Sequence, residues 1–123
     1  MNLEQLREYQ ILFESNLVGT DGDLCSKNTP EICLKRGIIG ESLEALSELE
    51  KHGELSEEFR QEVVDIYIFF ATLLNHVNMS SEELNYRTGR KMTVNFLKYR
   101  PEDIADKTVL EGIAYCKNNF NHD

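Results

Sequence analysis

The sequence predicts an all-α protein, an antiparallel helical bundle of about four to five helices completed by homo-oligomerisation. Three observations carry that reading. Only two prolines interrupt the 123 residues, apolar residues recur at helical rather than alternating spacing, and several segments open on residues that cap helices. A chain of this length fits a single domain, 1–123, whose modest core makes burial of further apolar surface against another copy favourable.

The first helix is expected from Leu3 to about Asn16, with Leu3, Leu6, Phe13 and Leu17 on one side. The stretch VGTDGDLCSKN that follows is rich in Gly and Asp and reads as a loop. Thr29 then starts a helix, because its hydroxyl can accept from free backbone N–H groups and Pro30 is tolerated in the first turn. That helix runs to His52 and stops at Gly53. Ser56 caps a third helix, which continues to about Val77. Ser80 and Glu83 have the spacing of a capping box and open a fourth, expected to reach Tyr99 before Pro101 ends it. The last helix, from about Lys107 to Asn119, places Val109, Ile113 and Cys116 on one stripe.

Charge and composition exclude several functions. A net charge of -9 argues against nonspecific binding to nucleic acid or to an anionic membrane, both of which need a cationic face. The longest nearly apolar run, Val63 to Leu74, is twelve residues and contains Asp65, whereas a membrane-spanning helix needs roughly 20. The opening MNLEQLREYQ has neither the basic start nor the apolar centre of an export signal, so a cytoplasmic protein is expected. Cys25, Cys33 and Cys116 form no CxxC pair and read as small packed hydrophobes.

The same apolar run contains the chemistry. Glu62 and Asp65 lie in the helical stripe of Ile66, Phe69 and Leu73, where an ionised carboxylate is costly unless compensated. In the preceding helix, Glu41 and Glu44 repeat the three-residue spacing, with Glu48 a turn further on, beside a stripe of Ile39, Leu43 and Leu46. A short connection makes the two helices an antiparallel hairpin, which could bring the acids face to face. Such a group must hold protons or a cation, and oxygen ligands alone favour magnesium, manganese or calcium.

Simpler readings stand beside this one. Glu41, Glu44 and Glu48 alone would be a solvated helix face, and Glu62 alone a residue favoured near a helix N-terminus. Asp65 is harder to place that way. A di-iron bundle would need an ExxH spacing, which is absent. His76 shares the stripe of Asp65 but lies roughly 16 Å along the axis, which suits a satisfied or exposed histidine.

Between Leu84 and Pro101 the sequence has five basic residues and no acid. Arg87, Lys91, Asn95 and Tyr99 recur every four residues, with Lys98 close to the same side. The face is either a solvated basic surface or a set of donors for an anion. Beside a carboxylate-bound divalent ion, such donors suit phosphoanhydride chemistry. The chain has no Walker A and no GxGxxG motif.

IIGESLEAL at Ile38–Leu46, EVVDIYIFF at Glu62–Phe70 and KMTVNFLKY at Lys91–Tyr99 together resemble the MazG-like, all-α nucleoside triphosphate pyrophosphohydrolases, which include dCTP pyrophosphatases and dimeric dUTPases. The resemblance covers about Pro30 to Pro101. It departs where Gly40 precedes Glu41, where Ala45 follows Glu44, and where Arg100 separates Tyr99 from Pro101. It implies a cytoplasmic homodimer or homotetramer that hydrolyses a nucleotide to monophosphate and pyrophosphate. Glu41, Glu44, Glu62 and Asp65 would be catalytic ligands of Mg2+, with Mn2+ a substitute. Lys91, Asn95 and Tyr99 would hold the triphosphate, with Arg87 and Lys98 on the same stripe. A phosphoribosyl-ATP pyrophosphohydrolase and a non-catalytic helical dimer are the alternatives.

Overall fold

The computed structural model describes residues 1–16, 29–96, 102 and 106–120, and among these it contains helices and no strand. They group into two compact units, Met1–Met79 and Ser80–Asp123. In the first unit α1 spans Leu3–Ser15, α2 Pro30–Ile32, a π-helical stretch Cys33–Ile39, α3 Gly40–His52 and α4 Glu57–His76. In the second, α5 spans Ser81–Phe96 and α6 Lys107–Phe120. Among the described residues no single helix is long and apolar enough to cross a membrane.

Local chemistry sets the helix starts. Asn2 accepts from the Gln5 N–H at 2.9 Å while Gln5 Oε1 accepts from the Asn2 N–H at 2.9 Å, a reciprocal cap at the start of α1. Thr29 Oγ1 accepts from the Ile32 N–H at 3.2 Å, and Ser56 Oγ from the Phe59 N–H at 3.2 Å. At α5 only half of the expected box forms. Ser80 Oγ accepts from the Glu83 N–H at 3.0 Å, but the Glu83 carboxylate turns to Arg87 Nε at 2.8 Å. Gly53 ends α3 at φ 86°, a conformation that a side chain would strain.

The π-helical stretch is absent from the sequence expectation, and it lines up its own buried residues with those of α3. In an α-helix a row of residues four apart drifts by about 40° per step, and the wider π turn offsets that drift. Cys33, Gly37 and Ala45, each four or eight residues from the next, are therefore all buried, and half-buried Glu41 stands between Gly37 and Ala45. The row packs on α4, with Gly37 against the ring of buried Phe69. Ile39, Leu43 and Leu46, the stripe that the acids of this helix flank, are 54%, 62% and 54% exposed. The α4 stripe is as expected, with Phe69 buried and Glu62, Asp65, Ile66 and Leu73 half-buried.

α1 packs on α4 through Leu6 and Gln10 rather than through Phe13, which is exposed. In the second unit α5 and α6 pack together around Thr93 and Ile113, with Phe120 edge-on to Tyr86 and Tyr115. The expected sites at Lys98 and Tyr99, the Gly/Asp-rich stretch 18–28 and Cys25 lie outside the described residues.

Gly37→Ala should destabilise the protein by about 1–3 kcal/mol, because the new methyl would overlap the Phe69 ring and a well-packed neighbour cannot yield cheaply. Gly112→Ala in α6 meets nothing within 4 Å and should stabilise by about 0.5–1 kcal/mol through helix propensity. Chemical denaturation of the two variants measures both, and a neutral Gly37→Ala would show that the α3–α4 seam has slack.

Candidate metal centre

The short connection between α3 and α4 leaves the helices packed along one seam, and the acids converge there. Glu41 of α3 and Glu62 and Asp65 of α4 each offer a carboxyl oxygen, and the three oxygens lie within 4.8 Å of one another. All three residues are half-buried. Oε2 of Glu41 and Oε2 of Glu62 are buried and have no hydrogen-bond partner.

Electrostatics follow from that crowding. The Glu41 carboxyl is pushed up to about 8, chiefly by burial, then by the neighbouring Glu62 and Glu44 carboxyls, with the Asp65 charge adding to them. Glu44 thus acts on Glu41 electrostatically, but its own side chain is exposed and is not one of the three convergent ligands. Glu48 lies a turn further along α3, within 3.5 Å of His52 at the helix end. His76 is paired with Glu14 and is not a member of the cluster.

The donors fit a hard divalent cation. They are oxygens only, they converge from two packed helices, and apart from the proton that Glu41 can share with Glu62, two buried oxygens have no donor. A cation would satisfy those oxygens and displace the proton that Glu41 otherwise holds.

The basic residues belong to the other compact unit. Arg87 is exposed and paired with Glu83, Lys91 is exposed, and Asn95 is half-buried near the end of α5. Arg90, one turn after Tyr86, lies 5.9 Å from that ring's centroid. Sequence periodicity found the Glu62 and Asp65 positions because their helix is apolar around them. It found Glu41 by spacing but misplaced its neighbours. The better signal is the small residues Gly37 and Ala45 four positions to either side.

Comparison with family models, curated proteins and solved structures finds no match to this chain.

Cation binding at this cluster should be linked to protons. Below about pH 8 the Mg2+ or Mn2+ affinity should rise by about tenfold per pH unit and then level off, as Glu41 must lose its proton to bind. Calorimetric titrations in buffers of different ionisation enthalpy read the released proton directly. Without metal the sign reverses. The folded state holds the Glu41 proton more tightly than the unfolded chain, whose ordinary value is 4.5. That contribution to stability is complete below 4.5 and is lost as the pH rises through about 8. A pH-independent affinity would remove Glu41 from the ligand set.

Proposed function

We propose that this chain is a magnesium-dependent nucleotide pyrophosphohydrolase, converting a nucleoside or deoxynucleoside triphosphate to its monophosphate and pyrophosphate in sanitation of the nucleotide pool. The observation that carries the reading is the convergence of the Glu41, Glu62 and Asp65 oxygens, two of those residues having a buried oxygen without a partner. The order of the acidic pairs and the KxxxN helix in the sequence adds the substrate class.

When bound, Mg2+, or Mn2+ in its place, supplies polarisation of phosphate oxygens and a more acidic water. The residues of the chain do the rest. Glu41, Glu62 and Asp65 hold the site's geometry from two packed helices, and Glu44 adds negative charge beside them. In hydrolysis, the water oxygen bonds to the α-phosphorus as the bond to the α–β bridging oxygen breaks, and that electron pair leaves with pyrophosphate. A carboxylate of the cluster accepts the proton of the attacking water. By the sequence pattern alone, Lys91, Asn95 and Arg87, continued by Lys98 and Tyr99, are donors of the kind that hold phosphate oxygens.

An oligomer, homodimer or homotetramer, is part of this proposal. Ile39, Leu43 and Leu46 of the π stretch and α3 are exposed, as are Val63, Val64 and Tyr67 of α4. Exposed apolar side chains in such number favour an interface.

Pyrophosphate release from a panel of nucleoside and deoxynucleoside triphosphates, with and without Mg2+, tests the activity. At least one nucleotide should be hydrolysed only with the metal. Asp65→Asn should lower kcat/KM by at least on the order of 100-fold, since even outer partners of metal ligands reach that effect. A folded wild-type protein that hydrolyses no nucleotide would sink the proposal. Light scattering should give a multiple of the 14.2 kDa chain mass, and a monomer would refute the oligomer.

A further inference from the structure

α1 is attached to α4 largely by polar groups. Its buried residues are Leu6 and Gln10. Arg7 Nε donates to Asn75 Oδ1 at 3.0 Å, and Asn75 Nδ2 donates back to the Arg7 carbonyl at 3.0 Å. Gln10 Nε2 donates to the buried Thr72 Oγ1 at 3.0 Å. Glu14 Oε2 meets His76 Nε2 at 3.1 Å. Arg7 and Glu14 are two turns apart, yet their partners are adjacent in sequence. The Glu14–His76 contact fastens the C-terminal end of α1.

That contact alone among the three joins an acid to a base that can exchange a proton, since an arginine keeps its proton and amides and hydroxyls do not titrate. The Glu14 and His76 side chains are 14% and 20% exposed, and the second Glu14 oxygen, Oε1, is buried without a hydrogen-bond partner. Among the described residues, the titratable groups facing Glu14 are His76 from α4 and Cys33 from the π stretch. Arg7, two turns back on α1, is engaged by Glu4 and Asn75.

We infer that α1 is a proton-operated arm, fastened to α4 by the Glu14–His76 contact while the pair retains a proton and released when the pair has none. With one proton, the contact is a charge-balanced hydrogen bond, whichever partner carries the proton. With none, a desolvated carboxylate with one undonated oxygen faces a neutral ring, and exposing it to water becomes favourable. Burial raises the Glu14 carboxyl above its ordinary range, with the His76 charge and hydrogen bond opposing that rise. Burial also raises the Cys33 thiol, with the Glu14 charge the next cause. A raised folded-state value means that the stabilisation of the docked arm is complete below 4.5 and is lost as the pH rises through that raised value. The arm is separate from the acidic cluster, because Asp65 and His76 lie roughly 16 Å apart along α4.

Amide hydrogen exchange of the full chain without metal, corrected for intrinsic exchange rates, tests this. Protection of the α1 amides should fall by about tenfold or more between pH 5 and pH 9, while that of α6 does not follow the same titration. Glu14→Gln should keep α1 protected with no more than about a twofold change across the range. His76→Gln should shift the midpoint of release, since it removes both a site of the pair's proton and the group that opposes the rise of the Glu14 carboxyl. A flat wild-type profile, an undiminished slope in Glu14→Gln or an unmoved midpoint in His76→Gln would each overturn the inference.

Discussion

Three carboxyl oxygens within 4.8 Å of one another at a half-buried helix seam repel strongly unless a proton or a cation lies among them. Holding them there takes a seam that cannot spread. α3 and the π stretch supply that seam through small residues, Gly37 against the Phe69 ring and Ala45 buried a turn beyond Glu41. Larger side chains at those two positions would push α4 away and relax the crowding of the acids. The proton affinity of Glu41 is therefore a consequence of helix packing, and packing is in turn a consequence of where the sequence places its smallest residues.

Helix starts were legible in the sequence because capping is local. Thr29 with Pro30, Ser56 and Ser80 each act on N–H groups two or three residues away, so no tertiary information is needed. Glu62 and Asp65 were legible for a related reason. Their helix is apolar around them, and an acid in an apolar stripe is conspicuous in one dimension. The inward row of α3 was not legible, because its residues are small, and a reading by apolar size favours the Ile39, Leu43 and Leu46 stripe on the opposite side of the helix. The attachment of α1 was hidden as well. Gln10 bonds Thr72, and Glu14 bonds His76, across 62 residues in each case, and polar side chains leave no periodic signal of that kind.

The π stretch connects these outcomes. It lines up Cys33 and Gly37 with Glu41 and Ala45, so that an acid lies in one row with three small residues. Three large aliphatic side chains, Ile39, Leu43 and Leu46, lie on the opposite side and are exposed. An isolated unit has little reason to exchange Ile39, Leu43 and Leu46 for a carboxylate in its interior, since the trade loses apolar burial and adds a desolvation cost. The exchange becomes reasonable when the carboxylate has a ligand and the aliphatic face a cover. Both ends of the proposed function, cation and oligomer, thus rest on which side of one helix faces inward.

α4 serves two sets of contacts at different heights. Its N-terminal half presents Glu62 and Asp65 to α3, and its C-terminal half presents Thr72, Asn75 and His76 to α1. Between them Phe69, Ala71 and Leu74 are buried and carry no group that titrates. This apolar section separates two carboxyls whose proton affinity burial raises, Glu41 with crowding acids adding to the rise and Glu14 with the His76 imidazole opposing it. Charge on one does little to the other across roughly 16 Å. A cation can therefore neutralise the first without unfastening the second, and a change of pH acts on them through different partners.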